Sequence, residues 1–214
     1  MPRMIPELAP ESISNSGEKV VYTALLEQLP DDWVVRYHYP ACWLRGKGLR
    51  ECESDFIVLA PSLGLMFLEV KASRGYDCRD GKWFRIKPTG ESQLMERSPW
   101  DQATSTKHQI VNKLSHQLGF PHKSDFPGIF GHMVVFPKAR LIGKIPDSVD
   151  SSLVLNGNHM RNLKNKLEHA FELWGSVRES ECWQCRRPFR RQDGVSTPGK
   201  GASFTPEVME KVLA

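Results

Sequence analysis

Within Glu51–Ser73, ECESDFIVLAPSLGLMFLEVKAS, four charged side chains stand where two apolar strands around a turn would otherwise carry Val or Thr: Glu53, Asp55, Glu69 and Lys71. Charges on the inner part of a strand lose hydration, which is costly unless a partner or a metal compensates. Residues two apart on a strand share a face, so Glu69 and Lys71 point one way together, as do Glu53 and Asp55. If the turn centres on Ser62, Asp55 lies opposite Glu69 and Glu53 opposite Lys71. A turn centred half a residue later sends Asp55 and Glu69 to opposite faces. The constellation therefore requires an odd-numbered loop, or a bulge, near PSLG.

In that register two carboxylates meet on one surface beside an ammonium. Two ionised carboxylates at close range repel, and a hard divalent cation relieves the repulsion. Mg²⁺ is commonly held by one or two carboxylates, with waters and phosphate oxygens completing its shell. Asp55 and Glu69 are accordingly the candidate ligands for Mg²⁺ or Mn²⁺. Lys71 would orient or deprotonate an attacking water and counter the charge growing on phosphorus. Residues of these types in this pattern suit hydrolysis of a phosphodiester.

Other elements must bring further groups to that surface. A helix is expected over SNSGEKVVYTALLEQLP, capped by Ser16 or Ser14 and ended by Pro30, with Val21, Leu25 and Leu29 as its apolar stripe. Glu18 lies on that inward stripe, where it could bind the metal or its waters; the helix dipole also favours an acid in a first turn. A second helix is expected over SPWDQATSTKHQIVNKLSHQLG, with Ser98 as cap, Pro99 in the first turn and Asp101 completing a box-like pattern. Ala103, Ile110, Val111, Leu114 and Leu118 would form its buried side, with Gln102 at the edge, able to fix a water or a phosphate. WVVRYHYP and GKWFRIK read as strands, LRGKGLRE as a polar loop, GHMVVFP as a strongly apolar strand and SLVL as a weaker one. NHMRNLKNKLEHAFELW reads as a last long helix. The order predicts an α/β sandwich, a mixed central β-sheet flanked by helices.

The 214 residues suffice for one sizeable core: residues 1–13 form an irregular lead-in, 14–175 the domain, and 176–214 an Arg/Gly/Ser/Pro-rich linker entering a C-terminal helix. A net charge of +4 permits an acidic partner without arguing for one. The opening MPRMIPELAPES lacks the apolar run of a leader, and no stretch is apolar enough to span a membrane. Five scattered cysteines imply a reducing, cytoplasmic setting rather than a disulfide framework. Cys182 and Cys185 have the spacing of half a zinc knuckle, without a second ligand pair after them. In CRRPFRR, Arg186, Arg187, Arg190 and Arg191 surround one Phe, which suits nucleic-acid phosphates with base stacking and equally a solvated basic linker.

Asp55, Glu69 and Lys71 form a D…ExK pattern that resembles the PD-(D/E)xK nuclease superfamily. More narrowly, SGEKVVYTALLEQLPDDWVV, ESDFIVLAPSLGLMFLEVKAS, DGKW and SPWDQATSTKH, in that order, resemble the nuclease-related domain (NERD) family, over roughly residues 16 to 110. The proline that gives the superfamily its name is replaced by Ser54. The resemblance implies a restriction-endonuclease-like three-layer sandwich and metal-dependent hydrolysis of DNA. It assigns metal binding to Asp55 and Glu69, catalysis to Lys71, and support to Glu18 and Gln102. It also implies a partner helicase module, in cis or in trans. Two rival readings stay open: a binding module without catalysis on the same fold, and an RNase. The sequence leaves oligomeric state undetermined.

Overall fold

A computed structural model describes residues 1–45, 48–119 and 128–180. Among the described residues, ten strands and three α-helices follow one another: β1 (Arg3–Ile5), α1 (Ser16–Gln28), β2 (Val34–Arg45), β3 (Gly48–Ala60), β4 (Gly64–Val70), β5 (Gly75–Arg79), β6 (Lys82–Ile86), β7 (Ser92–Leu94), α2 (Pro99–Gln117), β8 (Ile129–Phe136), β9 (Arg140–Gly143), β10 (Val154–Asn156) and α3 (Leu163–Ser180). The main sheet has the order β1-β2-β3-β4-β8-β10. Its β2–β3–β4 portion is antiparallel, whereas β1 joins β2, and β8 joins both β4 and β10, in parallel. The mixed sheet that the element order predicts is present.

Alternation along the central strands divides their apolar residues between two helical layers. On one face Phe56, Val58, Met66, Leu68, Met133 and Val135 pack with Val21, Leu25, Leu167 and Phe171 of α1 and α3. On the other, Ile57, Leu59, Leu65 and Phe67 pack with Ile110, Val111 and Leu114 of α2. Each of these fully buried side chains contributes roughly 1.5–3 kcal/mol. The result is a three-layer sandwich with β4 near its centre. A second sheet, β7-β6-β5-β9, packs through Tyr76, Cys78 and Trp83 onto Val134 and Phe136.

Several expectations need correction. The lead-in contains strand β1, which pairs Met4 with Val35. Asn15, rather than Ser14 or Ser16, caps α1; its side chain accepts the N–H groups of Gly17 at 3.0 Å and Glu18 at 3.3 Å. LRGKGLRE is no loop between separate strands, because β2 and β3 pair as one long hairpin out to Arg45 and Gly48. The last helix opens with a 3₁₀ stretch, Gly157–Asn162, before α3 begins at Leu163 and runs to Ser180. Ser98 caps α2 as expected, accepting from the Asp101 N–H at 2.9 Å and donating to Asp101 Oδ2 at 2.7 Å. The Cys182–Cys185 pair, the Arg186, Arg187, Arg190 and Arg191 cluster and the C-terminal helix lie outside the described residues.

Candidate active site

The β3–β4 hairpin pairs Ala60 with Gly64 and Phe56 with Leu68, so its turn centres on Ser62 and the odd-loop condition is met. Gly64 makes this tight return possible. Its φ is +145°, and a Cβ there would lie 1.9 Å from the Ile129 carbonyl oxygen. One step beyond the last ladder pair, Asp55 comes level with Glu69. Instead of a backbone pair, the Val70 N–H donates to Asp55 Oδ2 at 2.6 Å. Burial, and next the charge of Glu69, push the Asp55 carboxyl up from its ordinary value to about 7; the Val70 N–H and the Lys71 ammonium only partly offset them.

Lys71 follows the last residue of β4, and its backbone N–H donates to Val135 O at 2.8 Å, which fixes where its side chain starts. The ammonium donates to Glu69 Oε1 at 2.5 Å and to Gln102 Oε1 at 2.7 Å. Gln102, in the first turn of α2, uses the other end of its amide to reach Arg97 O at 3.1 Å. Two separate segments, the end of β4 and the start of α2, thus meet at one mostly buried ammonium.

Glu18 makes its hydrogen bonds to neighbouring protein groups. Its Oε1 accepts from Asn15, while its Oε2 faces Tyr37 Oη at 2.7 Å and His38 Nε2 at 2.8 Å. Both oxygens accept from protein donors, and the charge of Glu18 also bears on Asp55. Glu53 does not pair with Lys71, because β4 ends at Val70; its Oε1 takes His38 Nδ1 at 2.8 Å.

His38 is the participant that the sequence reading missed. It stands level with Asp55, between the Tyr37–Phe56 and Tyr39–Ser54 pairs, and its φ of 49° is in the left-handed region. Such a conformation costs of order 1–3 kcal/mol in a non-glycine residue and persists where the surroundings enforce it. Here the enforcement is a carboxylate on each ring nitrogen. Burial alone would lower the imidazole pKa, but the Glu18 hydrogen bond and the charges of Glu18, Glu53 and Asp55 outweigh it and raise the value. RYHYP gave no sign of this, since alternation alone does not reveal a single inverted residue.

The donor set suits a hard cation. Asp55 Oδ1 and Glu69 Oε2 carry no hydrogen bond from the described residues, and both are oxygens. Four acids (Glu18, Glu53, Asp55 and Glu69) surround one lysine and one histidine, so the cluster has a surplus of negative charge that a divalent ion would balance. Among the described residues, no three His, Cys, Asp or Glu side chains gather closely enough to ligate one ion. Two carboxylates with waters and substrate oxygens are the arrangement that remains, and it is a common one for Mg²⁺.

A D…ExK hairpin at the centre of a three-layer α/β sandwich is the arrangement of the PD-(D/E)xK nuclease superfamily. The nuclease-related domain model matches residues 13–137, more than half of the chain, and the protein belongs to that family. No curated protein matches it. Among solved structures, the crystal structure of protein VC1899 from Vibrio cholerae is similar, at 14% identity and a TM-score of 0.35. The similarity covers 74% of this chain and 34% of that one, so the present chain spans about a third of its length.

Proposed function

We propose that this domain is a Mg²⁺- or Mn²⁺-dependent nuclease that hydrolyses DNA phosphodiester bonds. The observation supporting this most strongly is that Asp55 comes level with Glu69 while Glu69 and Gln102 hold Lys71, with one carboxylate oxygen of each acid left over. Family membership supports a nuclease-related function in general, and the two carboxylates beside an ammonium support a divalent metal acting on a phosphodiester. Asp55 and Glu69 would hold the ion, which when bound supplies Lewis-acid polarisation of the phosphate and acidifies a ligated water.

The remaining work falls to the chain itself. The Val70 N–H fixes one oxygen of Asp55, so the carboxylate presents its other oxygen in a set orientation. Glu69 and Gln102 hold the Lys71 ammonium from two sides, leaving its third proton for a phosphate oxygen or a water. A held cation beside developing negative charge stabilises the transition state without reorganising when charge appears. Glu18 and His38 act behind this group: Glu18 adds negative potential at Asp55, and His38 takes up part of the excess between Glu18 and Glu53.

Degradation of labelled linear and circular DNA tests the proposal, with Mg²⁺, Mn²⁺ or EDTA. Wild type is compared with Glu69→Ala and Lys71→Ala, both checked for folding by thermal melting. Metal-dependent cutting that both variants lose is the expected result. Retained DNA binding without cutting under any metal would instead favour the binding-module reading. A labelled RNA in the same assay separates DNase from RNase. A helicase partner, in cis or in trans, fits the same reading, because unwound strands are a substrate for such a site.

A further inference from the structure

An open trough of about 480 Å³ adjoins the candidate site and shares Gln102 with it. One wall comes from the edge of the second sheet, where Arg85 pairs with Gln93 and the Met95 N–H donates to Trp83 O at 2.8 Å. Arg85 and Gln93 pair across β6 and β7, and Leu94 and Met95 follow Gln93 into the lining, with Leu94 largely exposed. The opposite wall comes from the start of α2, with Arg97 and Gln102. Glu96 is also in the lining. Arg85 donates to Gln93 Oε1 and Arg97 to Asp101 O, each at 3.1 Å, so one guanidinium nitrogen of each is used in aiming the group. The other guanidinium N–H groups of these exposed arginines are suited to phosphate oxygens.

We infer that this trough is the bed of a single nucleic-acid strand, whose phosphates meet Arg85 and Arg97 and whose base rests on Met95 before the chain reaches Lys71. The inference rests on the proposed nuclease reading and names the path by which its substrate arrives. Three features select this occupant. Two guanidiniums flank the exposed Leu94 and the half-buried Met95 thioether, so a positively charged groove is combined with apolar surface on which a base can rest. The volume is that of a small-ligand site, too small to enclose a duplex. Finally, the Gln102 amide bonds Arg97 O with one end and the Lys71 ammonium with the other, so trough and candidate site share a residue whose position neither can alter alone.

The test measures the affinity of a labelled single-stranded DNA oligonucleotide for the full chain in EDTA, across a salt series. The double variant R85E/R97E is expected to bind at least tenfold more weakly at low salt. Removing two phosphate contacts should flatten the plot of log affinity against log salt by about 1.4, at about 0.7 per contact. R85K/R97K should keep most of the affinity. R3E/R161E, which makes the same charge change away from the trough, should keep the wild-type slope. Equal losses in R85E/R97E and R3E/R161E, or an unchanged slope in R85E/R97E, would overturn the inference. Hydrolysis of bis(p-nitrophenyl) phosphate by the wild-type chain with Mn²⁺ checks the nuclease reading separately. No hydrolysis together with selective loss of binding in R85E/R97E would end that reading and leave the trough assigned.

Discussion

Replacing Asp55 with Asn should make the metal-free domain more stable at alkaline pH, although it removes a candidate metal ligand. The unfolded chain ionises Asp55 near its ordinary 3.8, whereas the folded protein holds it to about 7 through burial and the charge of Glu69. Between those values the unfolded state releases the proton first, so rising pH drains stability from the wild type. At 1.36 kcal/mol per pH unit the full interval amounts to about 4 kcal/mol by pH 8, and water reaching the partly buried carboxyl reduces this to about 2. Asn keeps an oxygen to accept the Val70 N–H and adds no charge beside Glu69. Urea denaturation of both proteins in EDTA at pH 5 and pH 8 should show Asp55→Asn ahead by about 2 kcal/mol at pH 8 and by much less at pH 5. Saturating Mg²⁺ should reverse the order, since an ion at a hundred times its dissociation constant adds about 2.7 kcal/mol to the protein that binds it. A variant less stable than wild type at pH 8 in EDTA, or an advantage independent of pH, would refute the reasoning.

Other substitutions probe the supports. Tyr37→Phe deletes the hydroxyl that faces Glu18 at 2.7 Å and should lower stability by about 2 kcal/mol in urea melts. Gly64→Ala adds a methyl against the Ile129 carbonyl at a positive φ; a loss of about 3 kcal/mol is expected, with the folded fraction read by circular dichroism. Gly17→Ala places its Cβ 2.4 Å from Ala72 Cβ, pushing α1 away from the residue that follows Lys71. It should cost about 1–3 kcal/mol and lower DNA cleavage in the variant that still folds.

The hairpin was legible because two local rules agree: alternation sets the face, and an odd loop sets the register. Asp55 and Glu69 could therefore be brought together from twenty-three residues of sequence. Ser98 and Gln102 were legible for a similar reason, since a capped helix start fixes the following turn. The hydrogen-bond partners of Glu18 and Glu53 were not, because they centre on His38, whose inverted backbone is held by partners from α1 and β3. The second sheet was legible only in part. GKWFRIK reads as a strand, but its neighbours β5 and β7 are short, and the far edge of β5 is paired by β9, more than sixty residues later in the chain. The long β2–β3 hairpin was hidden by glycines and charges that mimic a loop.

The Lys71 N–H bond to Val135 O, together with the parallel ladder of β4 on β8, carries a consequence for how the protein is made. Every candidate residue from Glu18 to Gln102 has been synthesised before β8 begins at Ile129. Until that strand arrives, β4 lacks one of its two neighbours and Lys71 lacks its backbone anchor. Closing a loop of this length comes late in folding, after the local hairpins have formed. A growing or prematurely truncated chain would carry the complete set of reactive side chains yet be unable to assemble them. If the domain cuts nucleic acid as proposed, the dependence of β4 on a distant strand would withhold that activity until the body of the domain has closed.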